Sequence, residues 1–229
     1  MSLTQTQEYY LQTMGVDVYR SKGRVIDDPV STTEETDTIS VPESGAWRTL
    51  RDNVSACQQC ELHQGRKQTV FGVGDHNADW LIIGEAPGAE EDRQGEPFVG
   101  RAGKLLNSML LACGLQREQV FITNILKCRP PNNRDPKPEE VAACSSYLRE
   151  QIDLIQPKII LAVGRIAAQN LLQTDTPIGK MRGQQYQYAD TEIPVVVTYH
   201  PAYLLRSPRE KRKAWQDLQL AMQVYQEIK

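Results

Sequence analysis

A chain of 229 residues, 40% hydrophobic and 24% charged with a net charge of −3, has the size of one α/β domain plus an extension. No apolar run approaches the roughly 18 residues of a membrane span, and the opening MSLTQTQEYYLQ lacks the charged-then-apolar pattern of a signal peptide. Both observations argue against membrane-embedded and exported classes, so a cytoplasmic protein is expected, in which five cysteines point to metal or redox chemistry rather than disulfides.

Residues 1–45 hold eight acids and three bases, a net charge of −5, which leaves +2 on residues 46–229. Within residues 4–20, Tyr10, Leu11, Met14 and Val18 predict one face of a short helix. Residues 27–45 are polar, acidic and poor in large apolar groups, the composition of a linker. The expected division is an acidic, partly disordered extension over 1–45 and a catalytic domain over 46–229. A helix beginning near Ala46 is predicted from Trp47, Leu50 and Val54, and it leads into Cys57-Gln-Gln-Cys60.

Four short runs rich in Ile and Val, at 80–83, 120–124, 158–163 and 194–198, read as parallel strands buried on both faces. Helical patterns at 101–113, 138–155, 165–172 and 209–228 separate or follow them. The helix at 138–155 is expected to open at Asp135 or nearby, with Glu139 and Glu140 in its first turn, where acids suit the helix dipole. Alternating strands and helices predict a three-layer α/β/α sandwich around a central four-stranded parallel sheet.

Ligands in such sheets bind beyond the carboxyl ends of the strands. Here the first strand runs into Gly84-Glu85-Ala86-Pro87-Gly88, the second ends in Asn124, and His200 follows the fourth. Glycines in the first loop permit a close backbone approach to a ligand. Phe98 sits in the same polar loop with no evident core to join. A carboxylate, a carboxamide and an imidazole are thus expected to meet at one crevice. Three basic clusters, Arg101/Lys104, Lys127/Arg129/Arg134/Lys137 and residues 206–213, flank these loops and suggest a phosphate-facing surface.

Cys57 and Cys60 form C-x2-C, and Cys128 and Cys144 are separated by fifteen residues. Four such thiolates suit either zinc or an iron–sulfur cluster. Cys113, on an apolar helical face, reads as a core thiol.

The stretches GEAPGAEEDRQGEPFVGRAG, ITNILKCRPPNNR and YHPAYLLR, together with the four cysteines, resemble the family 4 uracil-DNA glycosylases, the iron–sulfur type of bacteria and archaea. The likeness spans about residues 57–213. It implies the uracil-DNA glycosylase fold, a [4Fe-4S] cluster on Cys57, Cys60, Cys128 and Cys144, and removal of uracil from single- or double-stranded DNA. By motif position, Phe98 would stack on the flipped base, Asn124 would read its edge and His200 would face its O2, with Gly84 and Ala86 bordering it. Leu204, Leu205 and Arg206 would meet the gap left in the DNA; Arg101 and Arg129, from the basic clusters above, are the candidates for the phosphates. Related family 1 enzymes carry a water-activating aspartate where this chain has Ala86. Glu85 is therefore the candidate for positioning water, while Glu91 and Asp92 are expected to organise the loop or meet DNA. None of the three histidines lies in an inserted basic loop of the kind that binds DNA covalently in a variant group of the superfamily, so turnover is expected; a monomer is the default expectation, on which the sequence is silent.

Two alternatives follow from the residues alone. One is a noncatalytic iron–sulfur or zinc protein that binds nucleic acid. The other is an α/β enzyme acting on a small nucleotide, against which stands the absence of a Walker-type phosphate loop and of G-x-G-x-x-G.

Overall fold

The computed structural model describes Thr13, Met14 and residues 45–229. The expectations for the helix at 4–20 and the linker at 27–45 lie outside the described residues, apart from Thr13, Met14 and Gly45.

Strands β1 (Val73–Gly74), β2 (Trp80–Gly84), β3 (Phe121–Asn124), β4 (Ile159–Val163), β5 (Gln185–Gln187) and β6 (Pro194–Thr198) form one sheet in the order β1-β3-β2-β4-β6-β5. The inner four are parallel, with Leu81 opposite Phe121, Ile82 opposite Leu161 and Leu161 opposite Val196. Their 19 residues, all buried, alternate between the two faces. These four are the central parallel strands expected; two unforeseen edge strands run antiparallel, so the whole sheet is mixed and six-stranded. Neither edge leaves a signal in the sequence, because the two are only two and three residues long and lack an apolar run.

Helices cover both faces. Among the described elements, α1 (Gly45–Ala56), α5 (Pro138–Ile155) and α6 (Arg165–Leu171) pack with Leu81, Ile83, Ile160 and Val197. On the opposite face, α4 (Arg101–Ala112), α8 (Pro201–Arg206) and α9 (Lys211–Ile228) pack with Ile82, Leu161 and Val196. Each fully buried Leu or Ile contributes about 1.5–3 kcal/mol. The shorter helices are α2 (Leu62–Gly65), α3 (Ala89–Gln94) and α7 (Ile178–Met181). The expected core thiol, Cys113, ends α4 against the second of these clusters, and burial pushes it up to about 12.

Helix α5 does not open on Asp135. Pro138 takes its first position, where the missing N–H costs nothing, and Glu140 accepts the Lys137 N–H at 2.8 Å. Glu140 also receives both arms of Arg134, at 2.8 and 2.5 Å. Asp135 pairs instead with Arg165 at the start of α6. On the other side of the sheet, Asp217 of α9 is fully buried; it accepts from Arg182 and from Thr198 of β6, tying the strand end that precedes His200 to the helix behind it. Among the described residues no helix is long and apolar enough to cross a membrane.

Candidate active site

The ends of β2, β3, β4 and β6 open on one crevice of about 750 Å³. Glu85, Ala86, Phe98, Asn124, His200 and Arg206 all line it. The loop residues are brought there by the parallel register, which sets Gly84 beside Asn124. Neighbouring backbone ties continue past the strands: Ile125 donates to the Gly84 carbonyl and Leu126 to that of Glu85, both at 3.0 Å.

Gly84 is the point where two site residues converge. A Cβ there would lie 2.4 Å from Asn124 Oδ1 and 2.6 Å from the tip of the Phe98 ring. Only a residue without a side chain leaves room for both. Asn124 itself is 2% exposed, and Phe98 is buried with its ring 5.6 Å from that of His200, the two planes 29° apart.

His200 caps helix α8. Its Nδ1 accepts the Ala202 N–H at 3.1 Å, so in the neutral ring the proton sits on Nε2, leaving that atom a donor. Burial, reinforced by the cationic Arg206 and opposed by Glu91, depresses its pKa to about 4. The imidazole is therefore neutral throughout the physiological range. Glu85 is shifted the other way. Burial, with the Asp135 carboxylate adding to it and Arg165 opposing, raises its pKa to about 7.

The remaining acids of the loop organise it. Glu91 Oε1 accepts the N–H groups of Val99 and Gly100, each at 3.1 Å. Asp92 is buried and accepts the Lys67 N–H at 2.9 Å. Among the other residues of the crevice, Asn133 lies in a motif quoted above without a role assigned to it, while Asp135 and Arg165 carry no site signal in the sequence. Asp135 lies in the loop before α5 and Arg165 opens α6, and only their pairing at the crevice reveals them. Asn133, at φ +53, accepts from Arg129 Nε at 2.8 Å.

A model of the uracil DNA glycosylase superfamily matches residues 71–219, which contain this crevice. The chain belongs to that superfamily. It is 48% identical over 162 residues to a type-4 uracil-DNA glycosylase of Archaeoglobus fulgidus, covering 68% of this chain and 81% of the relative. A type-4 uracil-DNA glycosylase of Thermotoga maritima is 43% identical over 159 residues, 69% of this chain and 82% of the relative. Likeness to a type-5 uracil-DNA glycosylase of Pyrobaculum aerophilum is lower, 33% over 148 residues, 57% and 64% of the two chains.

Not every residue marked from sequence faces the crevice of this superfamily member. Leu205 is 42% exposed and Arg206 is exposed beside it, but Leu204 is 1% exposed and packs inward beside Met14, Leu105 and Met109. Arg101 is exposed at the start of α4, and Arg129 is half-buried. The basic cluster around Arg129 is smaller than its sequence suggests. Lys127 points into the protein, and Arg134 is neutralised by Glu140.

On the α1 and α5 side, Cys57, Cys60, Cys128 and Cys144 line one hollow, with Arg66, Lys127 and Tyr147 around them. Among the described residues no three His, Cys, Asp or Glu side chains form a ready metal-ion site. Donors nevertheless face the sulfurs: Arg66 Nη1 lies 3.0 Å from Cys128 Sγ and the Lys127 N–H 3.3 Å from Cys144 Sγ. Such donors stabilise thiolates bound to a cation. Burial raises both thiols, Cys144 to about 11, and Arg66 and Lys127 oppose the rise.

Proposed function

We infer that this chain is a uracil-DNA glycosylase of the type-4 kind, hydrolysing the N-glycosidic bond of a uracil nucleotide turned out of DNA. The observation that carries this reading is the meeting of Phe98, Asn124, His200 and Glu85 in one crevice at the strand ends. The likeness to the type-4 enzymes supports it. Uracil within a duplex is out of reach, so the nucleotide must leave the stack.

In this reading, the base lies against Phe98, an aromatic face suited to stacking. The Asn124 carboxamide donates to uracil O4 and accepts from N3–H, a pairing that cytosine does not offer. As the C1′–N1 bond breaks, its electron pair passes to the base and charge gathers on O2. His200 Nε2–H donates to that oxygen; one preorganised donor of this kind is worth about 2.7–4 kcal/mol. Water adds to C1′ and loses a proton. Ala86 cannot accept it, so Glu85, poised near neutrality, positions the water and takes the proton. Leu205 and Arg206 enter the gap left in the DNA, and Arg101 and Arg129 contact phosphates.

The four cysteines suit a [4Fe-4S] cluster by donor chemistry and by the cationic and N–H groups that face them. When bound, the cluster braces the segment between Asn124 and Cys144. Its retention would be read from iron content and from the visible iron–sulfur absorbance of anaerobically purified protein.

The decisive experiment incubates the purified protein with a single-stranded oligonucleotide bearing one uracil, followed by alkali to cut abasic sites. A cut strand is expected. An intact strand that is tightly bound would instead indicate a noncatalytic nucleic-acid-binding protein, and an intact, unbound strand would remove DNA from consideration.

A further inference from the structure

The loop that carries Phe98 is held in a conformation its own residues disfavour. Phe98 has φ +54, in the left-handed region that side chains with a Cβ adopt rarely. Such a conformation persists where its surroundings over-determine it. Here the restraints come from both sides. Glu91 takes the N–H groups of Val99 and Gly100. From the turn before β3, Arg117 reaches back to the carbonyls: Nη2 to Pro97 O at 2.5 Å, and Nη1 to Phe98 O at 3.5 Å. Nη1 also reaches Asn107 Oδ1 of α4 at 3.2 Å, which anchors the guanidinium to the helix that follows the loop.

The helix presses on the same carbonyl. A Cβ at Gly103 would lie 1.7 Å from Phe98 O, so the first turn of α4 seats directly on the loop. The planar fork of Arg117 matches acceptors that point in fixed directions, a task a lysine ammonium does less well. Arg117 is half-buried and does not line the crevice. It borders a separate cleft of about 570 Å³ with Asp75, Glu96 and Glu118, on the outer side of the loop.

We propose that Arg117 is a positioning residue for the base-stacking face: by holding the Pro97 and Phe98 carbonyls from behind, it fixes the Phe98 ring against the crevice while touching neither base nor DNA. This rests on the crevice being the uracil site. A residue serving only the fold would weaken all ligands together when removed. A residue that sets one ring would weaken the base and leave the abasic strand unaffected.

The test compares Arg117→Ala and Arg117→Lys with the wild type, each carrying its full iron content. The readouts are inhibition of strand cutting by free uracil and affinity for an oligonucleotide with an abasic site. In Arg117→Ala, uracil inhibition is expected to weaken about tenfold or more, the scale of a lost hydrogen bond to a charged group, with abasic-strand affinity unchanged. Guanidinium ion, which can enter the outer cleft, should restore part of the loss where ammonium does not, and Arg117→Lys should recover only part. Unaltered uracil inhibition overturns the proposal, and so does an equal loss for uracil and abasic strand. Should Arg117→Ala fail to fold, wild-type uracil inhibition in Arg117→Lys overturns it equally. A wild-type protein that leaves the uracil strand uncut overturns the functional reading itself, whereas cutting by the wild type with no change in Arg117→Ala refutes only the role of Arg117.

Discussion

The crevice holding Glu85, Asn124 and His200 is open and drawn from the ends of separate strands, whereas the four cysteines come from the C-x2-C after α1, the loop after β3 and the middle of α5, and surround a hollow on the α1 and α5 side. In the crevice the polar groups face space and leave donors and acceptors for a ligand. Around the cysteines, protein donors already face two of the sulfurs. The first arrangement suits chemistry on a transient guest, and the second suits a permanent brace. One segment serves both, because Asn124 and Cys128 are four residues apart. Between them Lys127 is buried, its Nζ donating to Thr123 Oγ1 at 2.6 Å, Asn124 O at 2.8 Å and Gln151 Oε1 at 2.7 Å.

The largest effect should follow from breaking the brace. Cys128→Ser is expected to lose the visible iron–sulfur band, most of the folded yield and, with them, strand cutting. A soluble, iron-free variant with wild-type cutting would separate the two regions altogether. Lys127→Met tests the segment they share. It leaves three buried acceptors without their cation, at a cost of about 1–3 kcal/mol for each one left unpaired. Lower thermal stability and slower cutting should appear together.

Substitutions confined to the crevice should behave differently. His200→Ala is expected to slow cutting about 10²–10³-fold, as removal of one preorganised donor does, with iron content unchanged. Gly84→Ala should follow with a smaller loss. Its methyl group would push on both Asn124 and Phe98, and overpacking of this kind costs about 1–3 kcal/mol. The loss should fall on uracil release rather than on the iron–sulfur band, and a wild-type rate in Gly84→Ala would mean that Phe98 and Asn124 have freedom to move apart.

The two regions are not equally legible in the sequence. The inner strands are unbroken apolar runs, so their ends, and with them Asn124 and His200, follow from the order of residues alone. The C-x2-C pair is visible for the same local reason. What the residue order hides depends on crossings between distant segments. Lys127 reads as a surface base until Thr123 and Gln151 are seen around it, and Arg117 acts on carbonyls about twenty residues earlier. Helix α3, AEEDRQ, has no apolar stripe and is hidden within a glycine-rich loop. Leu204 and Leu205 are neighbours of equal hydrophobicity, and only the packing of α8 decides which one turns outward.

The smallest expected effect, and the sharpest test of the crevice, is its response to pH. Glu85 is raised to about 7, first by burial and then by the nearby Asp135, and a base must be ionised to take a proton from water. Below that pH the carboxyl is protonated, so kcat/KM should fall as pH drops from 8 to 6 and flatten above neutrality. His200 adds no limb in this range, because its pKa of about 4 keeps it neutral throughout. Glu85→Gln should therefore lose the acid limb along with part of the rate. Asp135→Asn removes a negative neighbour, which lowers the Glu85 pKa and moves the limb to more acid pH. A limb that persists unchanged in Glu85→Gln would assign proton transfer to another group and leave Glu85 with only its place in the wall of the crevice.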